Sequence, residues 1–176
     1  DQIINASGIV QSYITLNNAL PSSVVISGTQ VYMPQFLELA TATLLNIEGY
    51  LDTSIVLGNI ANPTNTTEDI VSGDIPYYEY IVIANDAKDY MDTNGTAPGY
   101  TRLTSLGDHM RFQSLVNIYS EILQSYHTNN KTLPDYITIT PWIAISNPNK
   151  IYNYRSNEVF NTIQDIMDLD DMNKII

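Results

Sequence analysis

A fixed spacing of tyrosine, asparagine and proline occurs three times in this chain, in the segments 13–21, 90–98 and 126–134. In each segment the asparagine follows the tyrosine by four residues, and the proline follows the asparagine by four. Upstream of each tyrosine, apolar residues recur at steps of three and four, which places one stripe on one face of a helix. Internal repetition of this kind predicts copies of one supersecondary unit.

The repeated unit is predicted to be a helix, a short hairpin and a second helix. In the first copy, the β-branched run 24–26 is expected to pair with 31–33 across the turn 27–30. Pro34 suits the first turn of the second helix. In the second copy Met110 takes the place of Val31, and the next helix is also the first helix of the third copy. These two copies are therefore expected to share a helix that is apolar on more than one side.

The fold class predicted from this pattern is α+β, mainly helical, with tandem helix–short hairpin–helix repeats packed as one body and a C-terminal helical tail. Residues 1–50 form the first repeat, and 51–77 form a connector that lets the two parts move. Residues 78–145 hold the second and third repeats, although no second helix is evident after the strand-like run 137–139. Residues 146–176 form a tail, with an amphipathic helix around 159–167, or a linker to a following domain.

Seven segments of the chain together match the pattern of one known family: 6–14, 20–26, 31–40, 80–84, 94–98, 115–120 and 133–139. They resemble the pseudomurein-binding repeat of methanogenic archaea and their viruses. The resemblance implies a non-catalytic module that attaches its parent protein to pseudomurein. This archaeal wall polymer alternates an amino sugar with an amino-uronic acid and is cross-linked by short peptides. The resemblance also implies an extracellular localisation, at the cell wall or cell surface. The segments similar to the repeat are 6–14, 20–26 and 31–40, and those similar to its degenerate copies are 80–84, 94–98, 115–120 and 133–139.

The net charge of the chain argues against two classes of binding partner, nucleic acids and membranes. The chain has 19 acidic and 7 basic residues and a formal net charge of -12. Nucleic acid is not an expected partner, because phosphate binding depends on Lys and Arg. A membrane is not expected either, because the chain repels anionic lipid and has no apolar run near the roughly 18 residues of a membrane span. Pseudomurein is itself partly anionic, so the negative chain is not attracted to it by charge. The affinity of the chain for pseudomurein must therefore come from short-range contacts.

Tyrosine is the residue type best suited to such contacts, with 13 Tyr against 3 Phe and 1 Trp. Its ring offers an apolar face for sugar C–H groups and a polar tip for hydroxyls. Tyr13, Tyr90, Tyr119 and Tyr126 lie on the apolar helical stripes and are expected to pack in the core. Tyr100 is a different case, because it follows a helix-stopping proline.

The residues after the helix-stopping prolines are the candidate ligand-binding residues. Tyr100 and Tyr136 stand two residues beyond their prolines, where the first copy has Ser23. If these loops converge, they form an aromatic groove. The alternative is that Tyr136 begins a half-buried strand above a core tryptophan and that the asparagines form turns. The full candidate set is Ser23, Asn94, Tyr100, Arg102, Asn130, Tyr136 and Trp142.

No catalytic residue, metal site or cofactor is predicted. The chain has no cysteine, and its two histidines, His109 and His127, have no evident nucleophile beside them. No pair of carboxylates stands out as a glycosidase pair. Two other functions stay open: a surface adhesin or scaffold domain that recognises protein and, less favoured, a wall hydrolase. The sequence leaves the oligomeric state open.

Overall fold

The computed structural model describes residues 1–51, 53–101 and 104–148. Asp1–Trp142 forms one compact unit, and Ile143–Ile176, of which 143–148 are described, forms a second. About half of the chain is helical, so the α+β class is confirmed. The helices are α1 (Gln2–Asn17), α2 (Met33–Glu48), α3 (Tyr77–Asn94), α4 (Phe112–Thr128) and α5 (Trp142–Ser146), and the strands are β1 (Ser23–Ile26), β2 (Thr29–Tyr32), β3 (Gly73–Pro76), β4 (Tyr100–Thr101), β5 (Met110–Arg111) and β6 (Tyr136–Ile139).

The strands form three antiparallel ladders: β1 with β2, β4 with β5, and β3 with β6. In each ladder the residue two positions after a helix-stopping proline pairs with the residue that caps the N-terminus of a helix. The three caps share one extended conformation, with φ, ψ of -76°, 159° before α2, -69°, 162° before α4 and -76°, 163° before α3. The pairs are Ser23 with Tyr32, Tyr100 with Arg111, and Tyr136 with Pro76.

The next pair along each ladder points into the core. One residue of each such pair lies in the strand that precedes a helix. Five residues after it, that helix buries a large side chain. These nine positions are at most 6% exposed, so the three ladders place equivalent residues inside. The sets are Val24, Val31 and Phe36; Thr101, Met110 and Leu115; and Ile137, Ile75 and Tyr80.

Helix α4 lies at the centre of the compact unit and packs against α1 and α2, while α2 also packs against α3. Its buried residues lie on more than one face: Leu115, Ile118, Tyr119 and Ile122 follow one stripe, and Val116 lies beside it. The Tyr119 hydroxyl donates to the Tyr80 carbonyl oxygen at 3.0 Å. Burial raises the pKa of Tyr119 well above its usual value, so this buried donor stays protonated.

Strand β3 changes the interpretation of the third copy. The last part of the expected connector, 51–77, contains this strand, which pairs with β6 and leads into α3. The third ladder therefore does have a helix after it, but its second strand lies before β6 in the chain. Local pattern cannot reveal such a pairing, because Asp74 and Thr138 are 64 residues apart.

The rest of the expected connector is an extended strap, defined here as residues 53–71. It is bonded to both parts of the chain that it was expected to separate. Gly58 N donates to Glu38 Oε2 of the first part at 3.0 Å, and the bonds to the second part are these. Ala61 N donates to the Gly95 oxygen at 2.9 Å, and its oxygen accepts from Ala97 N at 3.0 Å. Val71 N donates to the Leu106 oxygen at 2.9 Å. The strap is thus part of the compact unit rather than a free linker.

Two of the tyrosines that were predicted to pack in the core are partly exposed. Tyr119 is fully buried as predicted, but Tyr13 and Tyr90 are 41% and 44% exposed. The residues that follow them, Ile14 and Met91, take the inward positions. Because 3.6 residues make one turn, a stripe read in steps of three and four drifts round the helix by its end, and a tyrosine at that edge keeps its hydroxyl in water. Tyr126 is half-buried.

The hairpin of the first copy is confirmed, with a tighter turn than expected. Ser27 and Gly28 alone connect β1 to β2, with φ of 52° and 80°. Two successive positive φ values are the geometry that two-residue hairpins favour, and glycine adopts it at little cost. Pro34 lies in the first turn of α2, as predicted. The predicted tail helix around 159–167 lies outside the described residues.

Candidate functional site

Cleft A is an open cavity of about 440 Å³ at the C-terminal end of α3. Tyr90 and Tyr100 bring aromatic rings to it, and Asp86 brings a carboxylate. The strap contributes Thr64 and Asn65 to its lining. The cleft therefore combines two tyrosines with side chains that can accept and donate hydrogen bonds.

The turn that ends α3 explains why both tyrosines line one cleft. The Asn94 side chain donates to the Tyr90 carbonyl oxygen at 2.8 Å, which satisfies one of the carbonyl groups left open at a helix end. Gly95 then adopts the left-handed conformation, with φ of 65°. After the buried Pro98, the chain returns as β4, and its first residue, Tyr100, lines the same cleft as Tyr90.

Gly99 fixes how closely the strap approaches this turn. A Cβ atom on Gly99 would lie 2.2 Å from the Thr64 carbonyl oxygen and 3.0 Å from that of Asn65. Only glycine allows the two backbones to pass at this distance. The wall of cleft A is thus backbone packed on backbone.

The Tyr100 ring contacts the ring of His109, which is itself bonded to Asp69. Its ring lies edge-on to the His109 ring, with centroids 4.6 Å apart and planes at 81°. His109 Nδ1 lies 2.6 Å from Asp69 Oδ2, and His109 N donates to Asp69 Oδ1 at 2.7 Å. These bonds from His109 lower the pKa of Asp69, so the carboxylate stays ionised.

The Asp69–His109 pair resembles the orienting half of a catalytic triad, but nothing in the described structure completes it. No hydroxyl group within residues 1–51, 53–101 and 104–148 is hydrogen-bonded to the His109 ring. The carboxylate of Glu68, one residue along the strap, is bonded instead to the Ser114 hydroxyl at the start of α4. Both acidic residues therefore attach the strap to the body.

The structure distributes the predicted site residues over separate places. Ser23, Tyr100 and Tyr136 lie in three different ladders, and only Tyr100 lines cleft A. Ser23 accepts a bond from Gln30 Nε2 at 3.0 Å. Tyr136 is 59% exposed and begins β6, and Trp142 is 6% exposed, as the alternative interpretation of these two residues has it.

The asparagines of the repeated spacing lie at helix ends: Asn17 and Asn94 are the last residues of α1 and α3, and Asn130 follows α4. Asn94 is bonded to its own helix, and the same bond joins Asn17 Nδ2 to the Tyr13 oxygen at 2.9 Å. Asn130 is exposed, with φ of 49°. These contacts agree with turn formation as the main role of the three positions. Arg102 lies outside the described residues.

Sequence reasoning missed most of cleft A. Tyr90 was expected in the core, and Asp86 was not among the candidate residues. Their spacing of four residues places them on one helix face, which is the signal that could have paired them. Thr64 and Asn65 come from a segment without periodicity, so no local pattern could place them at the cleft.

Comparison with family models, with curated proteins and with solved structures gives no match. In the described part of the chain, no group of three or more His, Asp or Glu side chains is placed to hold a metal ion. None of the helices seen there is both long and apolar enough to cross a membrane.

Proposed function

We propose that this chain is a non-catalytic module that attaches its parent protein to pseudomurein on the outside of an archaeal cell, with cleft A as a sugar-binding site. The observation that carries the proposal is the lining of cleft A by two partly exposed tyrosines and hydrogen-bonding side chains. This cleft is formed at segment 94–98, one of the segments that resemble the pseudomurein-binding repeat.

The chemistry of cleft A suits a sugar better than a charged ligand. Tyrosine rings pack on the C–H face of a sugar, and a carboxylate accepts hydrogen bonds from two hydroxyls. Among the described residues that line cleft A, Asp86 is the one formally charged side chain. It disfavours a uronate by like-charge repulsion, so cleft A takes the neutral amino sugar of the polymer.

The test is sedimentation with purified pseudomurein sacculi. The chain is expected to sediment with the wall material, and the double variant Tyr90→Ala, Tyr100→Ala is expected to bind at least about fivefold more weakly, because each lost aromatic contact is worth roughly 0.5–1.5 kcal/mol. Tyr78→Ala with Tyr136→Ala is the matched control, since these tyrosines are 70% and 59% exposed and neither lines cleft A. The control should bind like the wild type.

Three outcomes separate this function from the others. Absence of sedimentation by the wild-type chain would reject wall binding and favour a scaffold domain that recognises protein. Equal loss in both double variants would reject cleft A as the site. Steady release of soluble fragments from the sacculi would identify a hydrolase. Melting temperatures of all variants show whether a lost tyrosine has unfolded the chain.

A further inference from the structure

A second cavity, cleft B, has a volume of about 610 Å³ and is built at the turn after Pro21. Its lining is rich in carboxamides, and Tyr32, which is 54% exposed, supplies an aromatic ring. No described residue that lines cleft B carries a formal charge, although the chain as a whole has a net charge of -12. The four carboxamides are Gln30, Gln35, Asn59 and Asn62.

Part of this lining is fixed and part is available to a ligand. Gln35 accepts from Tyr32 N at 3.1 Å and donates to the Gly58 oxygen at 3.0 Å, so both ends of its amide are used. Asn59 and Asn62 are exposed, and their side chains have no hydrogen bond within the described structure. The strap thus presents two amides over a preorganised floor.

Cleft B occupies the place in the first ladder that cleft A occupies in the second. Cleft A contains Pro98 and the start of β4, and cleft B contains Pro21 and the residue before β1. Tyr32, which lines cleft B, caps α2 as Arg111 caps α4. The turn after a helix-stopping proline therefore forms an edge of each cleft, after Pro98 in cleft A and after Pro21 in cleft B.

The two clefts adjoin. Phe112 of cleft B donates its backbone N–H to the oxygen of Gly99, which lines cleft A, at 3.0 Å. The strap passes along both: Asn62 lines cleft B, and Thr64 lines cleft A. Two residues of extended chain span at most about 7 Å, so a short oligosaccharide is long enough to reach from one cleft to the other.

We propose that cleft B is a second sugar-binding site and that one glycan strand lies across clefts A and B, with its acidic sugar in cleft B. This inference rests on the proposed function. The absence of charge in cleft B removes the repulsion that Asp86 exerts in cleft A, and amides donate hydrogen bonds to a carboxylate or an acetamido group. Two adjoining clefts bind a continuous strand more tightly than either binds alone, because the second contact is intramolecular.

The experiment uses peptide-free glycan strands from pseudomurein sacculi, fractionated by length, with titration calorimetry as the measurement. The wild-type chain is expected to gain affinity steeply once a strand is long enough to span both clefts. The variant Tyr32→Ala, Asn62→Ala should bind the shortest strands like the wild type and should lose at least about tenfold affinity for the long ones. Tyr136→Ala, Asn85→Ala is the matched control and should keep the full dependence on length.

A second variant guards against loss of fold. Asn62→Asp changes one exposed side chain and adds a negative charge to the neutral cleft, so it should weaken the binding of long strands, and added salt should restore part of that binding. The inference is overturned if the cleft B variants keep the wild-type dependence on strand length, or if wild-type affinity does not depend on length. Failure of the proposed function is a separate result: wild-type chain that does not sediment with sacculi, or binding that survives Tyr90→Ala with Tyr100→Ala.

Discussion

Two ladders of this fold do the same structural work with very different connections. In β1–β2, Ser23 pairs with Tyr32, and a two-residue turn closes the hairpin. In β3–β6, Tyr136 pairs with Pro76. Along the chain, α3, the β4–β5 ladder and α4 lie between these two strands. Each ladder nevertheless sets a buried pair beside a capped helix, so the register is conserved while the covalent connection is not.

The difference shows what must replace a turn. The β3–β6 ladder is a remote ladder, because its strands are far apart in the chain. It has additional bonds: Tyr77 N donates to the Asp135 oxygen at 2.8 Å, and the Thr138 hydroxyl donates to Asp74 Oδ1 at 2.6 Å. The buried hydroxyl of Tyr80 donates to the Pro134 oxygen at 2.7 Å. Closing a long loop costs only slightly more entropy than closing a moderate one, so a few such bonds can offset the missing turn.

The largest effect is expected from the core of the remote ladder. Ile75 is fully buried and faces Ile137, so Ile75→Ala leaves a cavity between β3, β6 and α3. We expect it to lower the free energy of unfolding by about 2–5 kcal/mol. Urea denaturation followed by circular dichroism measures this loss.

Val25→Ala is the control for that measurement. Val25 lies in the turn-closed hairpin and is 64% exposed, so its truncation should change stability by about 0.5 kcal/mol or less. A loss below about 1 kcal/mol for Ile75→Ala would contradict the pairing of β3 with β6, since a residue outside a packed ladder tolerates truncation.

An intermediate effect is expected where the strap touches the second ladder. Gly99→Ala places a methyl group 2.2 Å from the Thr64 carbonyl oxygen. Because backbone must move to relieve this contact, we expect a loss of about 1–3 kcal/mol together with weaker binding in cleft A. Thermal unfolding and the sedimentation assay measure the two results.

Gly95→Ala provides the comparison for this prediction. Its Cβ would meet no atom within 4 Å, but its φ of 65° is left-handed, so alanine there should cost only about 1 kcal/mol. The strap contact predicts a larger loss of stability for Gly99→Ala than for Gly95→Ala. Equal or reversed losses would show that the strap does not lie against Gly99.

The sequence predicts the elements of the fold whose causes are local. The apolar steps of α2 and α4, the left-handed residue after Asn94 and the tight turn at Gly28 all depend on residues within one or two turns of each other. The pairing of β3 with β6 depends on residues 64 apart, so the run 137–139 was recognised as a strand while its partner was missed. Periodicity reports which face is apolar, not which strand lies beside it.

The candidate site follows the same division. Tyr100 was identified because it follows a proline at a repeated spacing, which is a local observation. Tyr90 was placed in the core because an apolar stripe does not distinguish its last inward residue from its first outward one. The strap residues Thr64 and Asn65 reach cleft A only through tertiary contacts, so sequence alone gave no reason to include them.

The smallest effect is expected from acid, and it tests how the strap is attached next to the remote ladder. The bonds from His109 lower the pKa of Asp69 below its ordinary value. A carboxylate whose pKa is lower in the folded state stabilises the fold above its unfolded pKa, and this contribution is lost as the pH falls through the folded pKa. Asp69→Asn should therefore melt at a lower temperature than the wild type near neutral pH, and the difference should close as the solution is acidified below the ordinary range of aspartate. Asp89→Asn, on the exposed part of α3, is the control and should show no such convergence. Melting curves at stepped pH decide the matter: a constant gap between Asp69→Asn and the wild type would mean that the ionised Asp69 carboxylate contributes nothing to holding the strap, which would then depend on its other bonds, such as those of Glu68 with Ser114 and of Val71 with Leu106.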